Sequence, residues 1–354
     1  MKRFPYIKKE GLYESYSYGG KAYSSNLKDF TELYKTKPIA AMVLREKFDY
    51  GLLKLAENSG AVIKEKNKVV DVKILSDKTK VISKNGNSFE SRVIIGADGV
   101  YSNIAKKSGL IQGNRDIGVC VLQEFPLNCE TLDRYFGKER LCHIHLRFQG
   151  IAGYGWIFPK KEHVNIGINE YRPISSKFIG KKNLKEIFLN YIKTLKENNL
   201  LPRNLKIGQI RGGSIPVCLL NKTYSNRLIL CGDAGGFINP VSGEGIYYAM
   251  SSGEIAAKAI TLALESDETS EKSLSIYQKM WKKDFGKDIL LLSRYTKNWT
   301  VNTNRFVKYT KSDKKIADMA LNIFQGNISA YEYRWKLITR TLYVFLKEFI
   351  KQKI

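Results

Sequence analysis

The chain has 354 residues, 43% of them hydrophobic, so it is long and apolar enough to bury a core and is not expected to be disordered. Lys and Arg number 59 against 34 Asp and Glu, a formal net charge of +25. That charge leaves two interpretations open: a solvated lysine-rich surface, or attraction to an anionic membrane or to phosphorylated ligands. No nucleic-acid-binding pattern accompanies it, so nucleic acid is not predicted as a partner.

The cysteines and histidines argue against disulfides and metals. The five cysteines are odd in number, scattered and free of any C-x-x-C pair, which is typical of a reduced cytoplasmic protein. The three histidines lack the neighbouring ligands that a metal site needs, so no metal is predicted. Neither a signal peptide nor an apolar run of about 18 residues is recognised. The expected location is cytoplasmic, with peripheral membrane contact as the open alternative.

The first part of the chain reads as a helix followed by short strands. Nothing before Ala40 matches the strand, G-x-G-x-x-G turn and helix that open a dinucleotide-binding fold. Apolar residues at helical spacing predict a helix that follows Arg45 and is closed by Gly60. Four strands are predicted next, the last two forming a hairpin: Ala61–Glu65, Lys68–Leu75, Lys80–Ser83 and Ser88–Ser91.

A strand–Asp–Gly junction and a sheet-rich segment follow. The strand Arg92–Gly96 runs into Ala97-Asp98-Gly99 and the start of a helix. Residues 116–169 are mostly strand, and at their centre Tyr154, Trp156 and Phe158 alternate along one strand that ends at Pro159. Alternate residues share one face of a sheet. The row is therefore either an ordinary core face or the wall of a pocket for a flat or greasy ligand.

A second junction of the same pattern begins at Leu228. The strand Leu228–Cys231 runs into Gly232-Asp233-Ala234, and a loop with Pro240, Gly243 and Gly245 then opens a long helix. That helix has an apolar stripe at Ile246, Met250, Gly253, Ala257, Ile260 and Leu264. A glycine-lined helix N-terminus offers free N–H groups and partial positive charge to an anion. The pattern predicts a nucleotide or flavin cradle; the alternative is a tight turn without a ligand.

The remainder reads as basic helices, in segments near Leu274–Trp299, Asp313–Phe324 and Ser329–Lys351. From Ser270 onward, 18 Lys and Arg against 7 Asp and Glu give a net charge of +11. The last segment mixes aromatic residues with cations, which suits a helix lying on a membrane surface. The alternative is a terminal helix packed on its own domain with its lysines outward.

Four stretches, taken together and in order, resemble the geranylgeranyl reductase family of FAD-dependent oxidoreductases, which has the para-hydroxybenzoate hydroxylase-like fold. The first three are Arg45 with Phe48-Asp49, Gly96-Ala97-Asp98-Gly99 with Ser102, and Tyr154-x-Trp156-x-Phe158-Pro159. The fourth is Gly232-Asp233-Ala234 followed by Pro240, Gly243, Gly245 and Ile246. They span about Ala40 to Leu264. Each motif is weak alone, and the series in register is more specific.

The resemblance implies an α/β fold (α+β) in which an FAD/NAD(P)-binding three-layer domain lacks its first βαβ unit and carries an antiparallel-sheet substrate domain and a helical C-terminus. The implied parts are a partial FAD-binding domain with inserted strands (1–110), a sheet-rich substrate domain (111–205), the continuation of the FAD-binding domain (206–266) and a helical region (267–354). The implied activity is saturation of isoprenoid double bonds on lipids or their precursors. The flavin would be reduced by NAD(P)H or another electron donor.

The resemblance also implies residue roles. Arg45 and Asp98, with Gly99, would face the phosphate and adenosine side of FAD, and Asp233, between Gly232 and Ala234, its ribityl or pyrophosphate region. The helix N-terminus around Pro240, Gly243, Gly245 and Ile246 would face the flavin's pyrimidine edge. Tyr154, Trp156, Phe158 and Pro159 would line an apolar site for the isoprenoid chain. No catalytic proton donor is recognised.

One departure from the family pattern is the missing G-x-G-x-x-G unit, so the chain looks truncated at its N-terminus or completed by another polypeptide. Two rival functions follow. One keeps the fold and changes the chemistry, to an aromatic monooxygenase or a halogenase. The other is a non-catalytic remnant.

Overall fold

The computed structural model describes residues 3–172, 183–299 and 303–351. The helices are α1 (Tyr6–Lys9), α2 (Arg45–Asn58), α3 (Asn103–Lys107), α4 (Cys129–Phe136), α5 (Leu184–Glu197), α6 (Ile246–Glu265), α7 (Glu271–Trp281), α8 (Lys287–Trp299), α9 (Thr303–Ser312), α10 (Lys314–Phe324) and α11 (Ala330–Lys351). The strands are β1 (Ser15–Ser17), β2 (Gly19–Tyr23), β3 (Phe30–Tyr34), β4 (Ala40–Met42), β5 (Val69–Ile74), β6 (Thr79–Ser83), β7 (Ser88–Ser91), β8 (Ile94–Gly96), β9 (Ile117–Pro126), β10 (Cys142–Leu146), β11 (Tyr154–Pro159), β12 (His163–Arg172), β13 (Arg211–Pro216), β14 (Tyr224–Ser225) and β15 (Leu228–Leu230).

A seven-stranded sheet, in the order β13-β9-β12-β11-β10-β2-β3, dominates the middle of the chain. All its pairs are antiparallel except β10 with β2. One face packs on α5, where Phe188 and Tyr191 meet Ile157, Ile166 and neighbouring residues in the largest apolar cluster. The opposite face, which carries Tyr154 and Trp156, is covered by Val307 of α9. The sheet is therefore covered on both faces, and the two faces have different partners.

A second, smaller sheet brings the two strand–Asp–Gly junctions together. In the order β14-β15-β8, strand β15 pairs with β8 in parallel, and Leu230 lies opposite Gly96. The carboxyl ends of parallel strands meet at one edge of a sheet, where open α/β folds bind ligands. Leu228 and Leu230 pack with Ile94 toward α3 and the separate β5-β6-β7 sheet, whereas Ile229 packs toward α6 and α7.

The mixed α/β architecture with a helical C-terminus confirms the predicted fold class, but some local predictions were wrong. Ala61–Glu65 forms no strand, and Val62 is 77% exposed. Helix α4 lies within residues 116–169, which were predicted to be mostly strand. Helix α6 does form, but it buries a different face from the predicted stripe, through Tyr248, Ser251, Ser252, Ile255, Ala256, Ala259 and Ala263.

Part of the parallel sheet and of α6 is uncovered. Ile95 in the middle of β8 is 46% exposed, although strands of parallel sheets are normally covered on both faces. On the stripe side of α6, a Cβ added at Gly253 would meet no atom within 4 Å, and Leu264 is 38% exposed. Among the described residues, no strand pairs with the free edge of β8. One face of β8 and the stripe side of α6 are therefore only partly covered by the described residues.

Candidate cofactor and substrate site

The first junction uses its carboxylate inside the protein. Asp98 accepts hydrogen bonds from the Ser102 hydroxyl at 2.5 Å and from the Ile104 N–H at 3.2 Å. Ser102 in turn caps α3 by accepting from the Ala105 N–H at 2.9 Å. Gly99 adopts a φ of +82° with open space around its Cα, so the chain turns sharply there without crowding. Both Asp98 oxygens thus stabilise the start of α3.

The carboxylate of the second junction is differently placed. Asp233 lies in a 3-10 turn between Gly232 and Ala234, and its Oδ1 is 3.3 Å from where a Gly245 Cβ would stand. Among the described residues, no donor bonds to its side chain. Burial raises the pKa of Asp233, and the positive charges of Arg115 and Arg45 partly oppose that rise. Arg45 itself pairs with Asp49 at 2.8 Å on the exposed side of α2.

Arg115, which the sequence analysis did not select, links the two junctions. Its Nη1 donates to the carbonyls of Val100 at 3.4 Å, Asp233 at 3.1 Å and Ala234 at 3.2 Å, and its Nη2 donates to the Cys218 carbonyl at 3.4 Å. A planar guanidinium can satisfy several carbonyls at once. Its sequence neighbourhood, Asn114-Arg115-Asp116, carries no motif, so only the folded chain identifies it.

The loop before α6 satisfies its own backbone and leaves the helix end open. Asn239 Oδ1 accepts from the N–H groups of Val241 and Ser242, and the Asn239 carbonyl accepts from Gly243 N–H at 2.8 Å. The backbone φ of +68° at position 243 lies in the left-handed region, which favours glycine. Gly245 is the N-cap residue of α6, and no side chain caps that end. The first-turn N–H groups are therefore available to an anion or an electron-rich edge.

The aromatic row reaches the same loop. The Tyr154 hydroxyl donates to the Ser242 carbonyl, and the ring centroids of Tyr154 and Trp156 are 6.0 Å apart. The Trp156 ring lies against Gly167, where any Cβ would clash at 2.2 Å, and its Nε1 donates to Asn165 at 2.6 Å. Further along the strand, the Phe158 ring stacks on Trp156 with centroids 6.1 Å apart, and Pro159 ends β11 in a buried position.

Glu244 is a second carboxylate at this place that the sequence analysis did not select. It lies between Gly243 and Gly245, and its charge is felt by Tyr154 on the sheet and by Tyr248 on α6. No cation pairs with it among the described residues. Glu244 is exposed as a residue, yet partial desolvation of its carboxyl group raises its pKa to about 7.

These residues fit one end of an FAD molecule. The open N-terminus of α6 suits the electron-rich edge of a flavin, and the unbonded Asp233 carboxylate suits a ribityl hydroxyl. Gly99 and Gly245 keep the approach free of side chains. The G-x-G-x-x-G turn between a strand and a helix, which binds the pyrophosphate in dinucleotide-binding folds, does not occur among the described residues.

Solved structures with the same fold define the class. A geranylgeranyl bacteriochlorophyll reductase-like protein from Thermoplasma acidophilum superimposes with a TM-score of 0.74 at 22% identity, covering 92% of this chain and 84% of its own. A flavin-dependent brominase superimposes with a TM-score of 0.69 at 17% identity, covering 99% of this chain and 87% of its own. The chain has the fold of FAD-binding flavoproteins.

Curated relatives narrow the class to a family. The digeranylgeranylglycerophospholipid reductase of Methanocaldococcus jannaschii is 31% identical over 292 residues, covering 79% of this chain and 69% of the relative. That of Methanococcus aeolicus is 31% identical over 269 residues, covering 72% and 63%. No family model matches the chain. The chain belongs to the geranylgeranyl reductase family of FAD-dependent oxidoreductases, and it spans about two thirds of the length of these two relatives.

Proposed function

We propose that this protein reduces carbon–carbon double bonds of isoprenoid chains carried on lipids or lipid precursors, with FAD as its cofactor. The observation that carries the proposal is the hydrogen bond from Tyr154 to the Ser242 carbonyl, which joins the aromatic row to the loop that opens α6. A cofactor at that helix end and an apolar chain along the aromatic row would be neighbours. The names of the relatives supply the substrate class.

Each part of the site has a proposed task. Bound FAD, reduced by NAD(P)H or another electron donor, would supply hydride to the alkene. The first-turn N–H groups of α6 would stabilise negative charge on the cofactor's edge without a side-chain base. Asp233, between Gly232 and Ala234, would hold the ribityl region, and Arg45 with Asp98 and Gly99 would lie toward the phosphate and adenosine side. Tyr154, Trp156, Phe158 and Pro159 would exclude water from the isoprenoid chain.

We assign the proton to Glu244. Saturation of an alkene needs one proton in addition to hydride, and a carboxyl group with a pKa of about 7 can hold and release a proton near neutral pH. It precedes the N-cap residue of α6, and its charge acts on Tyr154, so it would lie near both proposed ligands. The solvent-facing side of Glu244 allows the carboxyl group to be reprotonated after each turnover.

A further proposed partner is a strand-and-helix segment that covers the free edge of β8 and the exposed side of α6. Exposed Ile95 and the open space at Gly253 support it, because a strand beside β8 and a helix on α6 would bury both. Such a segment would also supply the pyrophosphate turn. It could belong to the same polypeptide or to a complementing one.

The likeness to a brominase favours one rival, a flavin-dependent halogenase or aromatic monooxygenase, at the level of fold alone. The test is to purify the protein with any upstream in-frame sequence, reduce it chemically, and analyse a digeranylgeranyl lipid by mass spectrometry. We expect each double bond to gain two hydrogens. This activity is lost in Trp156→Ala and kept in the exposed control Phe89→Ala. A yellow protein that saturates nothing but consumes NADPH and oxygen with an aromatic substrate would favour the rival. A colourless protein would favour the non-catalytic remnant.

A further inference from the structure

The C-terminal helix α11 carries an apolar stripe that faces solvent. Its members recur at helical spacing and are exposed to unusual degrees for their type: Trp335 63%, Ile338 38%, Leu342 57%, Phe345 48%, Leu346 56%, Phe349 48% and Ile350 57%. A helix turns 100° per residue, so these seven side chains share one side of the cylinder. Large contiguous apolar patches are uncommon on the surfaces of soluble monomers, and they often mark binding surfaces.

The opposite side of α11 is already held by the protein. Val344 is 2% exposed, Arg340 bonds Asp313 at 2.6 Å, and Glu348 pairs with Lys308 at 3.9 Å. The Ser329 hydroxyl at the start of the helix donates to Asp288 at 2.7 Å. The stripe is therefore not the side that anchors α11 to α8, α9 and α10. A helix fixed by one side presents the other as a rigid face.

Cations flank the stripe. Lys336 and Lys347 follow one side of it and Arg334 the other, with the Arg334 guanidinium 3.9 Å from the Tyr331 ring centroid. From Thr303 to Lys351 the sequence holds 10 Lys and Arg and 4 Asp and Glu, so 10 − 4 gives a net charge of +6. Cations whose apolar stems run beside aromatic groups suit the boundary between lipid headgroups and acyl chains.

We propose that the exposed stripe of α11 is a docking face for the surface of an anionic lipid bilayer. The helix has 22 residues, and none of the described helices is long and apolar enough to cross a membrane, so α11 lies along the surface. Its apolar side chains enter the acyl boundary, while Arg334, Lys336 and Lys347 reach acidic headgroups. A second copy of the chain fits this face less well, since pairing two stripes would bring their flanking cations together.

The docking face is continuous with the layer that covers the aromatic row. Helix α11 contacts α9 and α10. Val307 of α9 packs on Trp156 and Tyr154, and the ring centroid of Phe324 at the end of α10 is 6.5 Å from that of Tyr154. Among the described residues, this helical layer lies between the docking face and the aromatic row. The geometry brings a membrane-borne chain to the side of the molecule where the row lies.

The test is co-sedimentation of the full chain with vesicles of phosphatidylcholine alone or of phosphatidylcholine with phosphatidylglycerol. Binding to the anionic vesicles, weakened by salt, is the expected result for the wild type. The Leu342→Glu/Phe349→Glu double variant loses at least tenfold in vesicle affinity, whereas the matched control Val62→Glu/Leu262→Glu, also at exposed apolar residues, keeps it. Circular dichroism establishes that both variants fold.

Three outcomes overturn the proposal. The wild type stays in the supernatant with every vesicle, or the control variant loses as much affinity as the stripe variant, or the stripe variant abolishes a concentration-dependent dimer seen by analytical ultracentrifugation without changing vesicle binding. The last outcome assigns the face to a second copy. The vesicle measurement needs no cofactor and no turnover, so its result is independent of the reductase assay.

Discussion

The two strand–Asp–Gly junctions share a sequence pattern and lie side by side, yet they use their carboxylates differently. Both carboxylate oxygens of Asp98 accept hydrogen bonds at the start of α3, one from Ser102 and one from Ile104. Asp233 stands against Gly245 with no donor of its own among the described residues, and burial raises its pKa. The first junction uses its carboxylate to stabilise a short helix, whereas the second leaves its carboxylate available, as the proposed cofactor role requires. A strand–Asp–Gly pattern therefore locates a turn without telling which use its aspartate has.

The largest effect is expected where the two junctions are tied together. Arg115→Ala removes a guanidinium that bonds four carbonyls, and we expect the free energy of unfolding to fall by about 3 kcal/mol, because those acceptors lose charge-assisted partners. Urea unfolding measures the change. Arg203→Ala, at an exposed arginine, is the control and stays within about 0.5 kcal/mol. Equal losses in the two variants would contradict the linking role.

The next largest loss of stability is expected for Asp98→Ala. It takes away the acceptor for the Ile104 N–H and the partner that orients Ser102, so we expect a loss of about 1–2 kcal/mol, typical of a removed helix cap. Asp98→Asn keeps one acceptor oxygen and loses less. The urea midpoints of the two variants and the wild type give the comparison. An unchanged midpoint in Asp98→Ala would show that α3 does not depend on this carboxylate.

Asp233→Asn, in contrast to Asp98→Ala, is expected to raise the free energy of unfolding slightly at neutral pH. Because burial raises the folded-state pKa of Asp233, the folded protein binds that proton more tightly than the unfolded chain. The resulting destabilisation is absent at acid pH, grows as pH rises through the folded pKa, and persists above it. The Asn variant is therefore slightly more stable than the wild type at neutral pH and equal to it in acid. Flavin titration of the protein purified with any upstream in-frame sequence should show an FAD affinity reduced about tenfold, roughly the effect of one weakened hydrogen bond.

Glu244→Gln is expected to give the smallest change in stability, because Glu244 is exposed and solvent screens its carboxyl group. The pKa of Glu244 is raised from an ordinary value of 4.5 to about 7, so the charged carboxylate destabilises the folded protein relative to the unfolded chain. The stability that the Gln variant gains over the wild type is therefore absent below pH 4.5 and develops between pH 4.5 and about 7. Unfolding curves across that pH range measure it. Infrared titration of the carboxyl band provides an independent check. A band that titrates at the ordinary value would remove Glu244 from the role of proton donor.

Several parts of the structure depend on local chemistry and can be predicted from short-range patterns in the sequence. The hairpin at Asn85-Gly86 is read from residues that favour a turn, and the structure has β6 and β7 there. The two strands before Asp98 and Asp233, the long helix after Gly245 and the alternating row at Tyr154, Trp156 and Phe158 also follow from short-range patterns. So does the series of motifs that resembles the family.

Which of these groups meet, and which faces are covered, depends on long-range packing that no local pattern encodes. The buried side of α6 differs from the stripe with the clearest spacing, because burial depends on what packs beside a helix and not on its own pattern. Ala61–Glu65 has strand-forming residues, but in the described parts of the chain no strand pairs with it. Arg115 lies in no motif, since the carbonyls that it bonds are distant in sequence. Glu244 lies within the fourth stretch, but the pattern there marks the glycines and not the carboxylate. The stripe of α11 is recognisable as a surface only because its opposite side is anchored.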